Sequence, residues 1–250
     1  MTLSNTVYTN PAPMPTTLGG LPSGTTFNNE PIHSIINKLL YPYQYPAFTS
    51  FTITGQTNPL EVGATTLSNP TFTWGTSNNS NINLNSISIT DVTGGGTVLA
   101  SGLDNDGTET VTLAGIQKTT ATSHIFRITG VNTLTENFTR DLTLNWRWRF
   151  YYGESLNATL NEAEIKALRV GTLGTGFAGT YNFVAGGYKY LCYPQSWGNV
   201  TEWKDASNNL LIPLGTPFTV SVTNANGIAT TFICYRSFNI LGGAITAIAS

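Results

Sequence analysis

Residues 140–152, RDLTLNWRWRFYY, constrain the fold more than any other stretch. Leu142, Leu144, Trp146, Trp148 and Phe150 alternate with Thr143, Asn145, Arg147 and Arg149. A period of two is that of a pleated strand with one apolar face, which requires a second apolar layer to cover it. Side chains of this size stabilise by roughly 1.5–3 kcal/mol each when fully buried, which places the strand inside a sheet rather than at its edge. Phe72 and Trp74, two apart in TFTWG, supply a facing pair across a sandwich.

The rest of the chain agrees with an all-β reading. Only 10% of its 250 residues are charged, against roughly 25% in an average globular protein. Thr, Asn, Ser and Gly stand in their place, residues suited to strands and to turns with positive φ. A formal net charge of −2 gives no electrostatic basis for binding nucleic acid. No apolar run approaches the roughly 18 residues needed to cross a bilayer, so no membrane insertion is expected. The opening MTLSNTVYTNPAPMPTTLGG has neither the basic segment nor the apolar core of a secretory signal, and synthesis in a cytoplasm without export is expected. Cys192 and Cys234 both fall in strand-like runs. Free buried thiols are the default reading, with a disulfide only if the two strands are neighbours.

Taken in order, residues 1–46 form an N-terminal arm and a short helix. Residues 1–29 are rich in Pro, Thr, Asn and Gly and read as extended chain. In EPIHSIINKLLYPYQYP, Ile32, Ile35, Ile36, Leu39 and Leu40 fall on one side of a helix, capped by Asn28 or Asn29 and ended by Pro42. That face either covers one end of the chain's own β domain or docks on a partner. Residues 47–152 read as a β-sandwich of short strands separated by turns. Residues 153–169 read as a helical linker, with Thr159 and Glu162 as a capping box. Residues 170–250 read as a second β-rich module, with Asn226-Gly227 marking a tight hairpin. The whole is expected as two β-sandwich-like modules with an N-terminal extended arm and two short helices.

Candidates for chemistry are few. GTLGTG at 171–176 lacks the Gly-Lys-Ser/Thr ending of a phosphate loop and reads as a connection. Asp104-Asn105-Asp106-Gly107 opens like a calcium loop but lacks the remaining ligands, and a turn explains it equally. His33 sits on the helix, and His124 is in phase with Phe126 and Ile128, as a residue at the edge of a core. Glu162 and Glu164 point in different directions and make a poor acid–base pair. No catalytic residue, cofactor or metal is assigned, and an enzyme is not expected. Among the aromatics of the second module, Trp197 and Trp203 are candidate glycan contacts.

The segments TTLGGLPSGTTFNN, LLYPYQYPAFTSFTI, LEVGATT and FTW, with YKYLCYPQSWGNVTEWKDA and FTVSVTNANGIATTFICYRSFNILGGAIT, resemble virion structural proteins of tailed bacteriophages. The resemblance implies an immunoglobulin-like β-sandwich in a fibre, baseplate, tail or capsid appendage, commonly a homo-oligomer. The expectation is an adaptor or building block located in the virion and assembled in the host cytoplasm. Its partners would be other virion proteins and its own copies, with a trimer as one expected state, and its partner-binding residues Ile32, Ile35, Ile36, Leu39 and Leu40. The alternative is a host-surface or carbohydrate-binding adhesin that uses Trp197 and Trp203.

Overall fold

The computed structural model describes residues 7–10, 12–14, 21 and 24–250; the other arm residues lie outside the described residues. Where a single extended arm was expected, the chain doubles back. Strand β1 (Val7–Asn10) pairs antiparallel with β2 (Phe27–Pro31), with Tyr8 opposite Glu30. The Tyr8 and Phe27 rings meet edge to face at 5.8 Å. Helix α1 (Ile32–Leu40) follows at once. Asn28 and Asn29 therefore belong to the ribbon and cap nothing; Pro31 precedes the helix, and no side chain bonds its first turn. The helix stops two residues before Pro42, as a proline restricts the residue ahead of it.

The first module contains β3 (Ala47–Ile53), β4 (Leu60–Glu61), β5 (Thr71–Ser77), β6 (Ile87–Asp91), β7 (Thr97–Leu103), β8 (Gly107–Thr110), β9 (Thr122–Val131) and β10 (Asn137–Arg147). A sheet of order β3-β5-β8 packs on one of order β4-β10-β9-β6-β7. Strand β10 is internal, and its Leu144 and Trp146 are buried against Phe72, Trp74 and Phe126. The indoles keep their hydrogen bonds: Trp146 Nε1 donates to Ala64 O at 2.8 Å and Trp74 Nε1 to Asp104 O at 3.2 Å.

The long apolar strand does not run to Tyr152. It leaves the first sheet after Arg147 and starts the second module as β11 (Tyr151–Ser155). Trp148 completes the first core, whereas Phe150 turns into the second. The glycine-rich stretch makes this crossing possible. Gly174 N donates to Trp148 O and Gly171 N to Phe150 O, and a Cβ on Gly171 would lie 2.2 Å from the Phe150 ring.

The second module continues with α2 (Glu162–Ala167), β12 (Arg169–Val170), β13 (Gly179–Phe183), β14 (Tyr188–Pro194), β15 (Trp203–Asp205), β16 (Phe218–Thr223), β17 (Ala229–Arg236) and β18 (Ile245–Ala249). Its main sheet, β12-β11-β14-β17-β16, is covered on both faces, which is why YKYLCYP is apolar without alternation. On one face the sheet β13-β18-β15 closes a core around Phe183, Leu191, Tyr193, Trp203 and Tyr235. On the other, Leu160 and Ile165 pack on Tyr190 and Phe232. Residues 153–169 are thus a strand and a lid of the second module rather than a linker. The capping box is Asn161 with Glu164, not Thr159 with Glu162, because the helix begins two residues later. Glu162 instead accepts from Thr223 N at 2.8 Å, at the edge strand β16.

The default reading of free thiols is corrected. Cys192 and Cys234 are direct cross-strand neighbours on β14 and β17, with Cα atoms 4.1 Å apart, and they form a buried disulfide. The Asn226-Gly227 hairpin is present, but its loop is longer than a two-residue turn: Asn224 N donates to Ile228 O, and Gly227 takes the positive φ.

That hairpin joins the modules. Asn224 Nδ2 and Asn226 Nδ2 both donate to Val62 O, at 2.6 and 3.1 Å. Ile228 and Trp197 pack against the first core, and Arg149 pairs with Glu61 at 3.2 Å. LEVGATT and VTNANG, far apart in sequence, meet at this joint. Strand register then defines two poles. The Val131–Asn137 turn lies at the end of β10 remote from the joint, and the Ser155–Tyr188 end of β11 and β14 lies remote from it in the second module.

Candidate functional site

Helix α1 is joined to the remote pole of the first module through Pro42–Pro46. Tyr43 Oη bonds Asn81 O and Thr133 Oγ1, each at 3.2 Å. Asn81 Nδ2 donates to Gln44 O at 2.7 Å, and Asn78 Nδ2 to Tyr45 O at 2.9 Å. These contacts fix where the helix starts from, but they do not bury it. None of its residues is buried; Ile32, Ile36 and Leu40 are 40%, 46% and 65% exposed, and Ile35 and Leu39 are half-buried.

Much of the apolar face of the helix is left open. A groove of about 790 Å³ separates α1 from the body, and the helix side of it is lined by His33, Ser34, Asn37 and Lys38. On the apolar side, Ile35 and Leu39 are half-covered, whereas Ile32, Ile36 and Leu40 stand open to solvent. Of the face read as Ile32, Ile35, Ile36, Leu39 and Leu40, none is buried, and three of the five are exposed. Lys38 Nζ is 2.6 Å from Glu30 Oε1, and Ser34 Oγ donates to the same oxygen at 2.7 Å. The ammonium and the hydroxyl together hold the Glu30 carboxyl below its usual range. The helix is thereby tied to β2 by its polar side.

The other candidates are placed as follows. Trp203 is 1% exposed and packs edge to face on Phe183 at 5.8 Å, so its ring is core and faces no ligand. Trp197 is half-buried, stacked at 6.0 Å from Tyr193 and edge to face with Phe150, and it serves the joint between modules. Asp106 accepts hydrogen bonds from Thr76 N and Asn79 Nδ2, and the backbone bond to Thr76 leads in pulling its carboxyl below the usual range. The calcium-like loop is a turn braced by its own side chains. Among the described residues, no group of three or more His, Cys, Asp or Glu side chains is arranged to hold a metal ion.

His124 is buried, with Nε2 2.7 Å from the equally buried Asp91 Oδ1 and its ring 4.9 Å from Phe126. Burial lowers its pKa more than Asp91 raises it, and Lys118 adds to the lowering. The pair bridges the neighbouring strands β6 and β9, both side chains being buried.

The fold and this surface define an all-β protein of two joined sandwiches with a helix at one pole whose apolar face is largely open. No protein family matches the chain, and no curated protein sequence does. Among solved structures, a Streptomyces avermitilis alpha-L-rhamnosidase complexed with L-rhamnose aligns with 82% of this chain and 23% of its own, at 9% identity and a TM-score of 0.27. At that level neither fold nor activity transfers, and the chain spans about a quarter of the rhamnosidase.

Proposed function

We propose that this chain is a non-enzymatic building block of a bacteriophage particle, in a fibre, baseplate, tail or capsid appendage, and that α1 joins it to further copies of itself. The observation that carries this reading is the exposure of Ile32, Ile36 and Leu40 on α1. An isolated nine-residue helix is marginal in water, and here much of the face that ordinarily secures a helix is left open to solvent. A second copy seated on Ile32, Ile36 and Leu40 supplies the missing apolar layer. The sparsely charged body with its three cores suits a rigid spacer, and the phage resemblance names the setting, with other virion proteins as further partners.

Light scattering coupled to size exclusion tests the reading. The expected result is an oligomer, a trimer being one form, that Ile36→Glu converts to a monomer with unchanged unfolding of the sandwiches. A monomeric wild-type chain at tens of micromolar refutes self-assembly. Absence of the chain from purified particles of its source phage refutes the virion location.

A further inference from the structure

The sequence contains one Asn-Gly pair, Asn226-Gly227, and the fold sets it at the joint between the modules. Both residues are exposed to water. They belong to the loop between β16 and β17, where Gly227 N donates to Asn224 O at 3.1 Å and Gly227 takes a φ of +78°. Asn224 Oδ1 holds the loop from inside, accepting from Asn226 N and Ile228 N at 3.0 Å each. The Asn226 amide reaches out of the loop instead. Its Nδ2 donates to Val62 O at 3.1 Å, beside Asn224 Nδ2 at 2.6 Å, and Val62 is a fully buried residue of the first core.

An asparagine followed by glycine is open to intramolecular attack, because no Cβ on the next residue shields its backbone nitrogen. Gly227 N gives its proton to a solvent base and bonds to Asn226 Cγ. The Cγ–Nδ2 bond then breaks, and Nδ2 takes up a proton and leaves as ammonia. Water opens the cyclic imide that results. Addition at Cγ gives aspartate, and addition at the backbone carbonyl carbon gives isoaspartate, which carries an extra carbon in the main chain. In the closed joint two hydrogen bonds oppose the first step: Gly227 N is engaged by Asn224 O, and Nδ2 is held by Val62 O. Both must be given up, so the reactive population is the one in which the hairpin has left Val62.

We infer that Asn226 is a modification site guarded by the joint: spontaneous deamidation proceeds when the modules part, and its acidic product keeps them parted. Val62 O accepts from an amide that the reaction removes. A carboxylate at neutral pH has no proton to donate and sets oxygen against oxygen. Isoaspartate in addition lengthens a hairpin whose register runs to Thr223 opposite Ala229. The reaction runs one way and needs only water, so with age it turns one rigid body into two linked ones.

Peptide mapping of the chain held in mildly alkaline buffer tests the guard, each rate being divided by that of the same chain in urea. Wild type is expected to react at Asn226 more slowly folded than unfolded, by about tenfold or more. Gly63→Ala would bring a Cβ to 2.8 Å from Asn226 Cβ, and Ile228→Ala removes packing on the first core. Each should raise the normalised rate by about tenfold, a shift of ~1.4 kcal/mol toward the open joint. Ile89→Val weakens the first core away from the joint and should leave the rate unchanged. Asn226→Asp tests the consequence, and calorimetry should show its two modules unfolding separately. A folded rate equal to the unfolded one, or one that Gly63→Ala and Ile228→Ala leave unchanged, overturns the guard. Equal acceleration by Ile89→Val overturns it too, since global unfolding alone would then admit the reaction. An Asn226→Asp chain with the wild-type unfolding profile refutes the claim that the product keeps the modules apart.

Discussion

Gly63→Ala tests whether the two modules act as one body. Gly63 has φ near +85°, and a Cβ there would stand 2.6 Å from Ile228 Cγ1 and 2.8 Å from Asn226 Cβ. The left-handed backbone costs alanine about 1–2 kcal/mol. The forced contact adds about 1–3 kcal/mol of overpacking, and losing one of the amide bonds to Val62 O adds about 1 kcal/mol. A total of about 3–6 kcal/mol lowers Tm by roughly 6–24 °C for a chain of this length. Calorimetry reads it. The wild type is expected to unfold in one transition and Gly63→Ala in two, since the substitution strikes the joint and neither core. A second arm isolates the clash: Ile228→Ala removes the nearest atom, so the double variant should be more stable than the sum of the single effects predicts, while the φ cost remains. A Gly63→Ala chain with an unchanged single transition would show that the hairpin does not couple the modules.

Replacing Cys192 and Cys234 by alanine opens a loop of 42 residues and should cost about 4 kcal/mol by the chain-entropy relation, read as a lower urea midpoint. A loss below about 1 kcal/mol, or free thiols found on alkylation of the unreduced denatured chain, refutes that crosslink. Because the folded pKa of His124 is depressed below the ordinary 6.5, the unfolded chain binds the proton more readily as pH falls past that value. Stability should therefore drop between pH 7 and 5.5, and His124→Gln should flatten the dependence; an equal slope in the variant removes His124 as its cause.

How much of this was legible in the sequence depends on the range of the interaction. Alternation at Leu142–Trp148 and the unbroken apolar run of β14 report burial directly, so the all-β class and the central strands could be read. Phe150 could not be assigned, because continuing alternation does not say which of two cores a side chain enters. The same holds for α2, whose helical signal is local but whose place as a lid depends on Tyr190 and Phe232. The apolar stripe of α1 was plain from spacing, yet its exposure was not. The ties that position the helix, Lys38 to Glu30 and Asn81 to the linker 37 residues away, have no local sequence signal. Trp197 and Trp203 show the converse failure: aromatic content suggested contact with a ligand, and long-range packing used both rings internally.

The groove behind α1 has a mechanical consequence. The body is stiff, with three cores and a joint of interlocked side chains, whereas among the described residues α1 has no buried side chain and is held by its junction with β2, the Lys38 and Ser34 bonds to Glu30 and a short linker. Rotation about Tyr41–Pro42, ahead of the bonds that pin Tyr43 and Gln44 to Asn81 and Thr133, re-aims the apolar stripe while leaving those bonds in place. Under the proposed self-assembly, compliance concentrated at one end would let identical subunits meet at unequal angles, so that the same chain could serve positions that strict symmetry makes incompatible.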